Sequence, residues 1–265
     1  MLVRYGQQRK RRNALRSLSW LRALTAPALA CAALSMPAHA EEIRVAVATN
    51  FATTMTELVS VFEAASEHTV LVSAGSTGAH YAQIKNGAPF ELFFAADVER
   101  PELLENEGLT VRGSRFTYAV GRVALWSARP GFVDAEGQVL KTGDFRHIAI
   151  ANPDLAPYGA AAREVLERRG LWDGLRDKIV QGQDIGQTYS FVHTGAAELG
   201  FVAYAQIVRG DAPVEGSVWL VPEELHTPIE QQAVLLADTP AARAFLDFVR
   251  GADARAIIRR FGYGP

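Results

Sequence analysis

Val72-Ser73-Ala74-Gly75-Ser76-Thr77-Gly78 carries an apolar strand into a glycine-flanked pair of hydroxyl residues and then into a helix. A turn of this kind offers backbone N–H groups at a helix start, two hydroxyl donors, and glycines that let a ligand approach the main chain closely. Ser and Thr are also the favoured caps of any helix, so taken alone the stretch reads first as an N-cap. Its weight comes from its company. Three other strand-to-helix turns carry similar chemistry: Thr49-Asn50, the segment Asn152-Pro153-Asp154-Leu155-Ala156-Pro157-Tyr158-Gly159, and Asp184-Ile185-Gly186-Gln187.

The first forty residues have the three parts of a cleaved export signal and are set aside. Arg9-Lys10-Arg11-Arg12 supplies the basic start, residues 23–34 the apolar stretch, and Ala38-His39-Ala40 the cleavage site. Arg11-Arg12 leaves both the general and the twin-arginine routes open. Cys31 reads as a small apolar member of the signal, not a lipid attachment site. Cleavage after Ala40 leaves 225 residues, enough for two modest lobes and free of any stretch long enough to span a membrane. The mature chain has no cysteine, which excludes disulfides, thiolate chemistry and cysteine-based zinc sites. The signal removes seven of the 27 basic residues and none of the 29 acidic ones, so the mature net charge is −9. That excess of acid argues against a nucleic-acid partner. It also requires any anion site to work by local dipoles and hydrogen bonds.

Along the mature chain, strand and helix patterns alternate. Ile43-Arg44-Val45-Ala46-Val47-Ala48 reads as a strand, and Met55, Leu58, Val59 and Phe62 mark the buried face of a helix beginning after Asn50. Residues 69–74 and 91–95 read as strands, with a helix over 79–86 between them and Asp97 as the cap of the next helix. Val120-Gly121-Arg122-Val123-Ala124-Leu125-Trp126 reads as a single strand crossing into a second lobe. There follow strands at 148–150, 179–180, 199–204 and 218–221, with helices over 160–169 and, after the turn Asp184-Ile185-Gly186-Gln187, on to about residue 197. Residues 231–237 return to the first lobe, and helices over 240–250 and 253–261 close the chain. This alternation predicts α/β layers with mostly parallel pairing. Residues 41–118 and 227–265 are expected in lobe 1, and 119–226 in lobe 2.

The ordered set Ala48-Thr49-Asn50-Phe51, Ser73-Ala74-Gly75-Ser76-Thr77-Gly78, Gly87-Ala88-Pro89 with Phe94-Ala95-Ala96-Asp97, Asn152-Pro153 with Ala156-Pro157-Tyr158-Gly159, and Gly200-Phe201-Val202 resembles the periplasmic molybdate-binding proteins of ABC importers. The resemblance spans residues 42–263. It implies a two-lobed type II periplasmic binding protein fold with mixed, mostly parallel sheets flanked by helices and a ligand cleft between the lobes. It also implies a monomeric, non-enzymatic protein that captures molybdate or tungstate and delivers it to a membrane permease, without a cofactor. The site residues implied are Thr49, Asn50, Ser76, Thr77, Tyr158 and, through its backbone N–H, Ile185. They would contact the oxyanion's oxygens and would not be direct metal ligands. Many relatives carry a tyrosine where this chain has Ala203. Tyr204, one place along an expected strand, would face the other way.

A tetrahedral dianion suits such donors, because charge-assisted hydrogen bonds from helix starts offset its desolvation. The same fold holding another oxyanion such as sulfate, or ferric ion through tyrosines, is the nearer alternative. An α/β enzyme is the more distant one. For the latter the chain has no G-x-S-x-G elbow, no phosphate-binding G-x-x-x-x-G-K-[ST] loop and no H-E-x-x-H, and its mature histidines are scattered.

Overall fold

The computed structural model describes residues 40–208 and 212–264, so the expected export signal, apart from Ala40, lies outside the described residues. Among the described residues ten strands are formed: β1 (Glu42–Ala48), β2 (Thr69–Gly75), β3 (Leu92–Phe94), β4 (Phe116–Gly121), β5 (Val123–Ser127), β6 (Ile148–Ala151), β7 (Ile179–Gly182), β8 (Leu199–Ala203), β9 (Ser217–Leu220) and β10 (Ile229–Leu235). The helices are α1 (Ala52–Ala65), α2 (Thr77–Lys85), α3 (Glu99–Asn106), α4 (Val139–Thr142), α5 (Pro157–Arg168), α6 (Trp172–Leu175), α7 (Ile185–His193), α8 (Tyr204–Ile207), α9 (Pro240–Arg250) and α10 (Ala252–Arg260). A 3-10 turn, Thr49–Phe51, joins β1 to α1.

The strands form two sheets, ordered β2-β1-β3-β10-β4 and β7-β6-β8-β5-β9. In each, the first three strands are parallel, the fourth opposes them and the fifth opposes the fourth, so four of five share one direction. Helices cover both faces of each sheet, which explains why β5, β6 and β8 are buried along their whole length and read as continuous apolar runs. One face of the first sheet packs Ile43, Val45 and Val47 against Phe62 of α1 and Phe245 of α9, and the other packs Ala46, Phe93 and Val234 against Ile84 and Leu104. In the second sheet Leu125, Ile148 and Phe201 meet Val165 of α5, while Trp126, Ala149 and Val202 meet Val192 of α7. Helix α9 follows its sequence signals closely. Thr239 caps it by accepting from the Ala242 N–H at 3.2 Å, Pro240 opens it, and Ala241, Ala242, Phe245, Leu246 and Val249 form its buried stripe.

Three elements differ from their sequence reading. Residues 120–126 are two strands: Gly121 pairs with Ile229 in the first sheet, and Val123 with Ala203 in the second, with Arg122 between. Because the chain is buried on both sides of that crossing, hydropathy shows no break. Tyr204 is the first residue of α8, not the last of β8, and its ring lies 4.9 Å from the Arg122 guanidinium. Helix α7 stops at His193, where Gly195, at φ 78°, supplies the left-handed residue that closes a helix.

Phe51 ties the first turn to this frame. It is fully buried, with Tyr118 and Tyr263 edge-on at ring distances of 4.7 and 5.3 Å and Phe94 stacked at 6.4 Å. Phe51→Ala should therefore cost about 3–5 kcal/mol of stability, the usual result of emptying a tightly packed aromatic site. Urea unfolding of the two proteins side by side measures it.

Candidate functional site

The four turns singled out in the sequence meet. Ala48, Thr49, Asn50, Gly75, Ser76, Thr77 and Ala96 from the side of the first sheet line one cavity with Ala156, Pro157, Tyr158, Asp184 and Ile185 from the side of the second. The space open to the centre of a water-sized sphere is about 10 Å³. That is room for one small group, about the size of a water or a small ion. No Lys, Arg or His is among the lining residues.

What faces the cavity is a set of helix starts. The turn at Thr49 leads into α1, and α2, α5 and α7 begin at Thr77, Pro157 and Ile185. The first N–H groups of a helix have no partner within it, and together they bring partial positive charge to one point. Ser76 is the N-cap of α2, its hydroxyl accepting from the Ala79 N–H at 3.3 Å, and the Thr77 hydroxyl accepts from the Ala96 N–H at 3.0 Å. Both hydroxyls act as acceptors in these bonds and so keep their own protons to donate. Asp184 caps α7 by taking the N–H groups of Gly186 and Gln187 at 2.7 and 2.9 Å, which passes over the N–H of Ile185. Thr49 Oγ1 is buried with no hydrogen-bond partner among the described residues. An unpaired buried hydroxyl costs about 1–3 kcal/mol, so its position at a cavity wall marks a place for a ligand acceptor.

Two residues sit differently from expectation. Tyr158 lies within the first turn of α5, not ahead of it, because Pro157 is a favourable first helical residue. Its phenol is buried, which pushes its pKa well above the ordinary value and keeps it a neutral donor. Asn50 is neither a cap nor a free donor. Its amide nitrogen donates to Gln231 Oε1 at 2.8 Å and to the Tyr263 hydroxyl at 3.1 Å, leaving the backbone as the part of Asn50 that can serve the cavity. Asp97 stands outside the lining. It accepts from the Arg100 N–H at 3.0 Å and pairs with the Arg100 guanidinium, and its burial raises its pKa against that pairing.

Sequence reasoning missed the group behind the wall. Gln231 has no exposed surface and touches Asn50, Tyr118 and Tyr158. The pair Gln231-Gln232, following Glu230 and preceding the apolar Ala233-Val234-Leu235 of β10, was the available signal, and the strand register shifts between those two residues. The two sides of the cavity also touch directly: the Gly78 N–H donates to the Leu155 carbonyl at 2.9 Å, and Arg100 Nη2 to the Asp154 carbonyl at 3.0 Å. A side chain on Gly186 would overlap the Thr49 methyl, so the approach of α7 to the first turn depends on glycine there. Among the described residues no cluster of three or more His, Cys, Asp or Glu is placed to hold a metal ion, and no helix is long and apolar enough to cross a membrane.

A cavity for one small ion, walled by helix starts from two α/β lobes of matching topology, defines a two-lobed solute-binding protein. Comparison with known proteins agrees. The family model for bacterial extracellular solute-binding proteins matches residues 43–264. The chain is 51% identical to the molybdate-binding protein ModA of Azotobacter vinelandii, covering 91% of this chain and 95% of that one. It is 48% identical to the ModA of Rhodobacter capsulatus, with 87% and 91% covered. The solved structure of a periplasmic molybdate-binding protein from Azotobacter vinelandii superposes with a TM-score of 0.82 at 46% identity, over 84% of this chain and 99% of that one. The chain belongs to the bacterial extracellular solute-binding proteins, in the group of the periplasmic molybdate-binding proteins.

Beneath the second turn lies His80, 2% exposed, with Nδ1 3.1 Å from Gln83 Oε1 and Nε2 unpartnered among the described residues. Burial lowers its pKa below 6.5, opposed by the Gln83 bond, by the backbone of Val47 and Ser73 nearby, and least by the charge of Asp184. As pH falls, the unfolded chain takes up this proton before the folded one does. The stability tied to a neutral His80 is therefore complete above about pH 6.5 and declines as pH falls toward the lowered value, by at most about 1.4 kcal/mol per pH unit. Urea unfolding between pH 7.5 and 5.5 should show this loss in the wild type and less of it in His80→Leu.

Proposed function

We propose that the mature chain is a periplasmic binding protein that captures molybdate between its lobes and hands it to the membrane permease of an ABC importer. The observation that carries this reading is the convergence of helix starts, with the unpaired Thr49 hydroxyl, on an ion-sized cavity without a cationic side chain. The names of the relatives at about half identity support the choice of anion and of location. In this reading Thr49 donates through its hydroxyl, Asn50 and Ile185 through backbone N–H groups, Ser76 and Thr77 through hydroxyls and backbone, and Tyr158 through its phenol. Charge-assisted bonds of this type contribute about 1.5–3 kcal/mol each, and a partly buried helix start up to ~2 kcal/mol. Together they offset the desolvation of a dianion.

Tungstate, with the same charge and a similar size, binds as molybdate does, whereas the smaller sulfate leaves donors out of reach. The protein works as a monomer, without cofactor or catalysis, after loss of its signal at residues 1–40. The expected lobes, residues 41–118 with 227–265 and 119–226, shift by three residues at the first crossing, because β4 pairs in the first sheet as far as Gly121. The strand crossings on either side of Arg122 and before Ile229 form the hinge, and the cleft closes over the ion.

Titration calorimetry with molybdate, tungstate, sulfate, phosphate and ferric citrate tests the reading. Heat with the first two and none with the others is the expected result; tight binding of sulfate or ferric ion instead of molybdate overturns it. Tyr158→Phe keeps the ring and removes one donor. Its molybdate affinity should fall by about 1.5–3 kcal/mol, or roughly ten- to a hundredfold. An unchanged dissociation constant would take the phenol out of the site.

A further inference from the structure

We propose that Gln231 is a positioning residue for the anion site, which turns the proton of the Tyr158 phenol toward the cavity by occupying the phenol's acceptor side from within. The inference rests on the anion-binding reading above and adds a residue that does not line the cavity. It follows from the polarity of a buried hydrogen-bond chain whose far end is fixed by the main chain. The Tyr263 hydroxyl donates to the Asn50 carbonyl at 2.8 Å, and a carbonyl can only accept. With its proton spent there, Tyr263 must accept from Asn50 Nδ2 at 3.1 Å, which sets the sense of the Asn50 amide. The second hydrogen of that nitrogen goes to Gln231 Oε1 at 2.8 Å, where the Tyr118 hydroxyl, at 3.0 Å, is a second neighbour able to donate. The oxygen end of Gln231 is thereby fixed, and its Nε2 faces the Tyr158 hydroxyl at 3.3 Å. Tyr158 accepts in that bond, so its own proton is left for an acceptor in the cavity that it lines.

The surroundings leave this chain little freedom. Asn50, Tyr118, Tyr158, Gln231 and Tyr263 are all at least nine-tenths buried, so bulk water does not compete for these bonds. A Cβ at Gly121 would overlap the Tyr158 hydroxyl and stand 2.7 Å from Gln231 Nε2, so the end of β4 is glycine where the two side chains meet. The register shift at Gln231 and Gln232 marks the local irregularity that accompanies this inward-facing amide. The bond also joins β10 of the first sheet to α5 of the second lobe, so the phenol is oriented only when the two sides are together.

A double-mutant cycle read by calorimetry with sodium molybdate tests the assignment. Gln231→Leu should raise the dissociation constant about tenfold in the wild-type background and less than twofold in Tyr158→Phe, because the effect runs through the phenol. An equal factor in both backgrounds would mean a merely structural role and overturn the proposal. Gln231→Glu gives a second readout should the leucine variant fail to fold. Around position 231 the titratable neighbours are the phenols of Tyr118, Tyr158 and Tyr263, all with pKa values raised by burial, and the carboxyl of Asp97, whose charge reaches Tyr118, so the effect of the introduced carboxyl is read as the difference from wild type. When protonated it can donate to Tyr158 as the amide does; when ionised it accepts the phenol's proton instead. Relative to wild type, Gln231→Glu should lose affinity as pH rises, by up to about tenfold per unit, and the slope should shrink when Tyr158→Phe is added. A slope matching wild type, or one unchanged by Tyr158→Phe, overturns the proposal. Wild-type protein that takes up no molybdate would instead refute the functional reading on which it rests.

Discussion

Unpaired N–H groups at the starts of helices cannot be buried without an acceptor, and this constraint organises the whole cleft. The two sides of the cavity bring together the turn at Thr49 and the starts of α2, α5 and α7, each presenting such groups to one small space. Had the lining included a lysine or arginine, a single charge could have balanced an anion and the helix geometry would matter less. With no cationic side chain there, the backbone must do it, and the backbone is held in place by the sheets. The same dependence explains why each sheet repeats the order of three parallel strands followed by an opposed pair: parallel strands deliver successive helix starts to one sheet edge.

The polar residues near the cavity divide by what they touch. Ser76 and Asp184 cap helices, and Thr77 holds the turn after β3 through the Ala96 N–H, while all three line the space, so structural and ligand chemistry share one geometry. Asn50, Gln231, Tyr118 and Tyr263 form a closed set behind the wall, bound mainly to one another. A set of this kind fixes orientation at the cost of tolerance, since removal of one member leaves others buried and unsatisfied. Tyr158 is where the two groups meet, with its ring in the core of the second lobe, its hydroxyl accepting from Gln231, and the residue itself lining the cavity. The negative net charge of the mature chain is no obstacle to such a site, because the dipoles that matter act at contact distance while surface charges are screened by solvent and salt.

Much of this was legible in the sequence because local signals and tertiary demands coincide. Alternation in β1, the stripe of Met55, Leu58 and Phe62, and the Thr239-Pro240 start of α9 specify their elements through backbone geometry and burial, which act over a few residues. The four turns were visible for the same reason: glycine, serine, threonine and aspartate at a strand's end announce a helix start whatever it later faces. What the sequence could not show was where the chain changes sheets, since both sides of Arg122 are equally buried. Nor could it show that Tyr204 leaves its strand.

The sequence by itself determined the α/β class, the helix starts and the residue types able to meet an anion, because these follow from periodicity and from the chemistry of single side chains. Only the tertiary structure decided which of them converge, how large a space they enclose, and which donors remain free. Asn50 shows the difference. By residue type it is a ligand donor, yet Gln231 and Tyr263, 181 and 213 residues away, engage its amide and leave only its backbone to the cavity. Hydrogen-bond capacity is a property of the residue, but its availability depends on neighbours brought in by the fold.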